Sequence, residues 1–175
     1  MSNAAAADDP ARWLESVAAR DPERPLLETA AGGVLSYGQM AALTRRLAAA
    51  LASLQVAAGD RVVAQVEKSP EAVALYLACL RLGAVFVPLN TAYTFAELEY
   101  FLGDAAPAVA VVRPHDRQQV QQIAGRCGVR HVETLDERGG GSLLRIEASS
   151  AATSAQAHDP SALAALLYTS GTTGD

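Results

Sequence analysis

The chain has 175 residues and a formal net charge of −5, and half of its residues are apolar while 19% are charged. This balance is typical of one globular domain with a buried core, and it excludes an intrinsically disordered chain. The negative charge argues against a general nucleic-acid or anionic-membrane surface, although backbone amides can still bind a phosphate locally.

Neither the cysteines nor the N-terminus indicates export. Cys79 and Cys127 lie far apart and match no metal-ligand spacing, so we expect two reduced thiols in a cytoplasmic protein. Residues 1–9 lack a cationic start and run into two aspartates, which excludes a secretory signal. We expect these nine residues to form a flexible N-terminus. No apolar stretch is long enough to cross a bilayer, so we expect no membrane partner.

Helical and extended patterns alternate along the chain. The helices are predicted over 10–20, 37–55, 70–82, 95–102 and 115–127, and the strands over 26–29, 34–37, 61–66, 84–87, 108–112, 130–134 and 163–168. Ser36, Ser69 and Thr94 are predicted to cap the helices that follow them, because their hydroxyl oxygens can accept from free backbone amides. The alternation predicts an α/β fold with a largely parallel sheet flanked by helices.

The connection over 137–159 interrupts this pattern. It contains three consecutive glycines and then a stretch rich in serine, threonine and alanine. We expect a surface connection with one helical turn over 143–147. A mobile flap is the functional alternative.

The strongest motif is the loop that follows the last predicted strand. Its residues are Thr169, Ser170, Gly171, Thr172, Thr173 and Gly174. Glycines allow backbone amides to approach a phosphate closely, and the hydroxyls can donate to phosphate oxygens. The loop lacks the lysine of an NTPase phosphate loop and the three spaced glycines of a dinucleotide site. Because the same composition also suits an ordinary turn, the residues alone leave both interpretations open.

Three segments in order resemble motifs of one superfamily. Residues 168–174 resemble the first part of the phosphate-loop signature of adenylate-forming enzymes, which include acyl-CoA synthetases, peptide-synthetase adenylation domains and luciferases. Residues 35–40 resemble its early L-S/T-Y helix start, and residues 80–90 resemble its helix-to-strand turn ending in P-L-N. The chain is therefore identified as a member of this superfamily.

The resemblance implies a fold, a reaction and a set of ligands. Residues 10–175 would be a partial AMP-binding domain, the first subdomain of the N-terminal domain. Residues 28–32, 67–69 and 88–94 are similar to malonyl-CoA synthetases, which use ATP to convert malonate or a methyl-substituted malonate to an acyl-adenylate and then to a coenzyme A thioester. The loop would hold the departing pyrophosphate, while magnesium (Mg2+) and a lysine would share its charge. The resemblance assigns no catalytic residue or metal ligand to this chain.

The last residue bears on activity. Asp175 matches the variable position of the family signature, before its lysine. We therefore expect an N-terminal, truncated ligase fragment that is inactive alone and exposes an apolar face for self-association. A noncatalytic module or pseudo-enzyme that retains the early fold, or a ligase for another carboxylic acid, is the alternative. The resemblance implies a small-molecule carboxylate, ATP and coenzyme A as partners, and no nucleic acid.

Overall fold

The computed structural model describes residues 9–29, 32–147 and 161–169. Among these residues, α-helices and strands alternate in the predicted order. In chain order they are α1 Pro10–Arg20, β1 Pro25–Glu28, β2 Val34–Ser36, α2 Tyr37–Ser53, β3 Arg61–Gln65, α3 Pro70–Leu82, β4 Val85–Pro88, α4 Phe95–Ala105, β5 Val109–Val112, α5 Arg117–Cys127 and β6 His131–Thr134. Short 3-10 turns span Pro114–Asp116 and Leu143–Arg145.

Four parallel strands form the central sheet in the order β4-β3-β5-β6, which confirms the predicted α/β architecture. Val62 of β3 pairs with Phe86 on one side and with Val109 on the other. The valine-rich strands β3 and β5 are buried because helices cover both faces of the sheet. The strands β1 and β2 form a separate antiparallel hairpin beside α2.

Helices on the two faces enclose two apolar clusters. On one face, Leu47 and Leu51 of α2 pack with Leu75 of α3, and all three are fully buried. On the other face, Leu98 of α4 packs in a cluster with Val120 of α5. Burying each such side chain contributes about 1.5–3 kcal/mol relative to exposure, so the two clusters fix the helices on the sheet.

The predicted helix starts are confirmed by their caps. Ser36, Ser69 and Thr94 each accept a hydrogen bond from a first-turn backbone amide of α2, α3 or α4. At α4, Glu97 Oε2 reciprocally accepts from the backbone N–H of Thr94 at 2.7 Å. Gly83 ends α3 with φ of 69°, in the left-handed region that favours glycine. These local bonds explain why the sequence predicted the helix starts well.

The Thr94–Glu97 capping box is expected to weaken in acid. Hydrogen bonds from the backbone and hydroxyl of Thr94 lower the pKa of Glu97 below its ordinary value of 4.5. Since the folded-state pKa is lowered, this stabilisation is present above the unfolded pKa and is lost as pH falls through the folded value. Glu97→Gln keeps the capping geometry without the charge, so we expect a lower urea midpoint at pH 7. The difference should shrink as the pH falls through the lowered pKa of Glu97, whereas an equal difference at neutral and at acid pH would contradict the prediction.

The connection after β6 departs from the predicted surface loop. Leu143 and Leu144 are buried, and Arg46 Nη2 from α2 donates to the carbonyl oxygen of Leu144 at 2.5 Å. This burial brings a segment that was predicted to be exposed into the first apolar cluster, because two adjacent leucines gain more by packing against α2 than by facing water. The rest of that connection, residues 148–159, lies outside the described residues, so the flap alternative stays a prediction.

Two helix predictions also need correction. The helix predicted over 95–102 continues to Ala105, and the one predicted from residue 115 is a 3-10 turn over Pro114–Asp116 followed by α5. On α3, Val73 is 44% exposed, while Ala74 is buried in the core. No helix in the described ranges has the length and apolarity that a membrane span requires.

The two cysteines differ in access to solvent. Both are free, Cys79 is fully buried and Cys127 is partly exposed. Burial raises the pKa of the Cys79 thiol, so its reactive thiolate is rare at neutral pH. We expect Ellman's reagent to modify only Cys127 in the native chain and both thiols after denaturation, and Cys127→Ser should abolish the native reaction. A rapid native reaction in that variant would contradict the assignment.

Candidate functional site at the carboxyl edge of the sheet

The connections that leave β3 and β5 diverge to opposite faces of the sheet. The chain after β3 leads to α3 on one face, and the chain after β5 leads to α5 on the other. In open α/β sheets, ligands bind outside the carboxyl ends of the strands at such a point. A ligand site is therefore expected at the described edge between β3 and β5.

Arg113 joins the two diverging connections. Its Nε donates to Asp116 Oδ2 at 2.6 Å, and its Nη1 donates to Glu67 Oε1 at 3.4 Å. The hydrogen bond to Asp116 is the main cause of the raised pKa of the Arg113 guanidinium, which therefore stays charged. Because Asp116 and Glu67 already accept hydrogen bonds from the guanidinium, Arg113 links the loop after β3 to the loop after β5. Its charge is therefore not directed at a ligand.

A cleft of about 820 Å³ opens at the same edge, beside β4 and the first turn of α3. Its apolar wall includes Tyr76 and Phe86, whose rings meet edge to face at 5.4 Å between centroids. Its charged lining consists of Glu67, Lys68 and Glu137. Because two carboxylates outnumber one ammonium, the described lining of this cleft does not favour a polyphosphate.

The segment that leads into the predicted phosphate loop lies along the outer edge of β4. Ala165 forms a single parallel bridge with Phe86, whose N–H donates to Ala164 O at 3.1 Å. Leu166 N–H donates to Phe86 O at 3.0 Å. The prediction of a full strand over 163–168 is therefore wrong: one bridge replaces a ladder, since much of this segment stays exposed and gains little from burial.

Tyr168 anchors this segment on α4. The centroid of its ring lies 4.6 Å from that of Phe101, and its hydroxyl donates to Asp104 Oδ2 at 2.6 Å. Burial and the hydrogen bond to Asp104 raise the pKa of the Tyr168 hydroxyl to about 12, so it remains a donor at neutral pH. Because the bridge is parallel, the chain leaves β4 toward the edge that holds the carboxyl ends of the strands.

Thr169 is the one predicted phosphate-loop residue within the described ranges, and it is exposed. The remaining members of the loop lie outside the described residues: Ser170, Gly171, Thr172, Thr173 and Gly174. Their phosphate contacts remain a prediction. Sequence reasoning missed the Tyr168–Asp104 hydrogen bond, because a tyrosine and an aspartate 64 positions apart give no local signal of contact.

The described residues offer no fit for magnesium. No group of three or more His, Cys, Asp or Glu side chains gathers within them to hold a metal ion. The acids at the carboxyl edge have other partners: Asp116 accepts from Arg113, and Glu133 accepts from the hydroxyl of Ser142.

Comparison with known proteins identifies the family. The profile of the AMP-binding enzyme family matches residues 14–175. The chain belongs to this family. This AMP-binding enzyme is similar to ATP-bound MatB from Rhodopseudomonas palustris, with 44% sequence identity and a TM-score of 0.85. The similarity covers 95% of this chain and 33% of the MatB chain. Apo MatB from the same organism gives 46% identity and a TM-score of 0.80 over 88% of this chain and 31% of MatB.

This AMP-binding enzyme is also similar in sequence to other ligases. Oxalate–CoA ligase from Arabidopsis thaliana is 30% identical over 165 residues, which are 91% of this chain and 32% of the relative. The chain thus spans about a third of the length of these relatives. Family membership confirms the superfamily inferred from residues 35–40, 80–90 and 168–174. The family is one of adenylate-forming acyl-CoA ligases that use ATP and coenzyme A.

Proposed function

We propose that this chain forms the ATP-phosphate-binding part of an acid–thiol ligase. The ligase converts malonate or a methyl-substituted malonate to an acyl-adenylate and then transfers the acyl group to coenzyme A. The observation that carries the proposal is the segment hydrogen-bonded beside β4, which leads through Tyr168 to Thr169 at the start of the loop. The likeness to MatB, a malonyl-CoA synthetase, supports the acyl substrate.

The proposed role of the loop follows from the charge that develops during adenylation. ATP supplies the α-phosphorus that the carboxylate oxygen attacks and the pyrophosphate that leaves. Backbone amides and hydroxyls of residues 169–174 donate hydrogen bonds to the departing phosphate oxygens, and Gly171 and Gly174 allow the backbone to approach closely. The loss of one such donor typically lowers the rate by about two to three decades.

Magnesium and a lysine complete the charge balance in this proposal. No described residue is proposed to hold either of them, and the hydrogen bonds proposed for residues 169–174 come from the loop's own amides and hydroxyls. Coenzyme A and the carboxylate complete the set of ligands. The proposal also includes a cytoplasmic location, which the two free cysteines support because disulfides are rare in that compartment.

The acyl substrate is tested with protein expressed from the complete coding region that contains this sequence. Pyrophosphate exchange into ATP should require malonate or methylmalonate, and acetate or 4-coumarate should give little exchange. Exchange with another acid but not with malonate would remove the malonate assignment and leave the ligase. The absence of exchange with any carboxylic acid would remove the ligase.

The 175-residue polypeptide is proposed to be inactive alone. Its match covers about a third of MatB, and its described residues hold no cluster fit for a metal. The purified polypeptide should therefore show no malonate-dependent pyrophosphate exchange at micromolar protein concentration. A signal above that of a heat-denatured sample would contradict this part of the proposal.

Self-association through an apolar face is also part of the proposal. Leu163 and Leu167, which are 60% and 67% exposed, support it together with the exposed ring of Tyr100. Sedimentation velocity of the 175-residue chain should show dimers or larger species whose share falls in a Leu163→Ser/Leu167→Ser variant. A monomer at all concentrations would contradict it.

A further inference from the structure

Tyr168 is the end of a continuous series of contacts that begins inside the sheet. Gln65, the last residue of β3, is only 2% exposed, and its Nε2 donates to Asn90 O at 3.0 Å and to Tyr93 O at 3.3 Å. The Tyr93 ring lies 4.8 Å from the Phe101 ring, which in turn contacts Tyr168. The side-chain amide of Gln65 on β3 is thus connected, through Tyr93 and Phe101, to Tyr168, which precedes the predicted phosphate loop.

The backbone and the side chain of this segment are held on two different elements. Its backbone is hydrogen-bonded to Phe86 of β4, whereas the Tyr168 hydroxyl donates to Asp104 near the end of α4. Two fixed points, one on a strand and one on a helix, restrict the position of Thr169, the residue that follows Tyr168. The hydroxyl has a charged acceptor, and such hydrogen bonds are stronger than neutral ones.

We propose that Tyr168 and Asp104 are positioning residues whose hydrogen bond fixes Thr169, the first residue of the proposed phosphate loop, and so aligns that loop on the phosphates of ATP. Neither residue touches the reacting atoms. The inference rests on the proposed function for its ATP part, while the effect on Thr169 is independent of any ligand.

Tyr168→Phe removes the hydroxyl and keeps the ring on Phe101. Tyr100→Phe is the matched control, because it makes the same change beside the same ring, at a side chain that is 66% exposed. Backbone 15N relaxation of the 175-residue chain should give a lower order parameter for the amide of Thr169 in Tyr168→Phe than in the control, with an unchanged melting temperature. Unchanged order parameters would overturn the proposal.

Asp104 provides a second, graded test. Asp104→Asn keeps an acceptor oxygen, so it should retain part of the order that Asp104→Ala loses. Combining Asp104→Ala with Tyr168→Phe should lower the order parameters no further, because both changes remove one shared bond. Additive losses would overturn the proposed coupling.

The ATP part is tested in protein expressed from the complete coding region. Tyr168→Phe should raise the KM for ATP about tenfold, the scale of one lost hydrogen bond to a charged group, and leave the KM for the carboxylate unchanged. A lower order parameter at Thr169 with an unchanged KM for ATP would overturn the alignment role. No activity in the unsubstituted protein would overturn the proposed function and the alignment role with it, and the order parameter would still decide whether Tyr168 fixes Thr169.

Discussion

Replacement of Leu75 by alanine is expected to lower the free energy of unfolding by about 2–5 kcal/mol. Leu75 lies on α3, is fully buried and belongs to the cluster between that helix, α2 and the sheet. The substitution removes apolar contacts and leaves a cavity that a close-packed core fills only partly. Urea denaturation followed by circular dichroism measures the change.

Val73→Ala is the matched control, because Val73 lies on the same helix but is 44% exposed. It should cost less than about 1 kcal/mol, since it creates no enclosed cavity. Equal losses for Leu75→Ala and Val73→Ala would contradict the packing of α3 on the sheet. They would also remove the structural basis for the carboxyl-edge site, because α3 begins there.

Replacement of Gly141 by alanine is expected to destabilise the fold by roughly 3 kcal/mol or more. Gly141 has φ of 124°, and a Cβ at this position would overlap the carbonyl oxygen of Thr134 and lie 2.9 Å from Leu135 Cα. The obstacle is backbone at the end of β6, which cannot rotate away as a flexible side chain can. The turn that carries Leu143 into the core would therefore shift.

Gly125→Ala tests whether this loss is specific. Gly125 is exposed on α5, and a Cβ there meets nothing within 4 Å. Alanine should stabilise this helix by about 0.5–1 kcal/mol, because glycine is a poor helix former. A Gly141→Ala protein as stable as the Gly125→Ala protein would contradict the path assigned to residues 136–142.

Local signals predicted much of the fold. The caps at Ser36, Ser69 and Thr94 are short-range hydrogen bonds, so the sequence around each one was sufficient to predict where a helix begins. The alternation of helical and extended patterns predicted the α/β fold and its largely parallel sheet. The burial of Leu143 was not predictable, because it depends on α2, nearly a hundred residues earlier in the chain.

The candidate site was predictable in type but not in geometry. Composition left residues 169–174 open between a turn and a phosphate loop, and resemblance at three separated segments favoured the phosphate loop. Neither source predicted the hydrogen bond between Tyr168 and Asp104, because that contact arises only when α4 packs beside the segment that contains Tyr168. The reduction of the last predicted strand to one bridge likewise depends on how little apolar surface that segment buries.

The most direct test of the phosphate-loop proposal is the kcat/KM for ATP of a Thr172→Ala/Thr173→Ala variant, measured by pyrophosphate exchange in protein expressed from the complete coding region. If these hydroxyls hold the departing pyrophosphate, the value should fall by about two to three decades, with an unchanged melting temperature. Thr91→Ala, which removes a hydroxyl from the described lining of the cleft beside β4, should leave it unchanged. A double variant that retains the unsubstituted value would contradict the assignment of this loop to the phosphates of ATP.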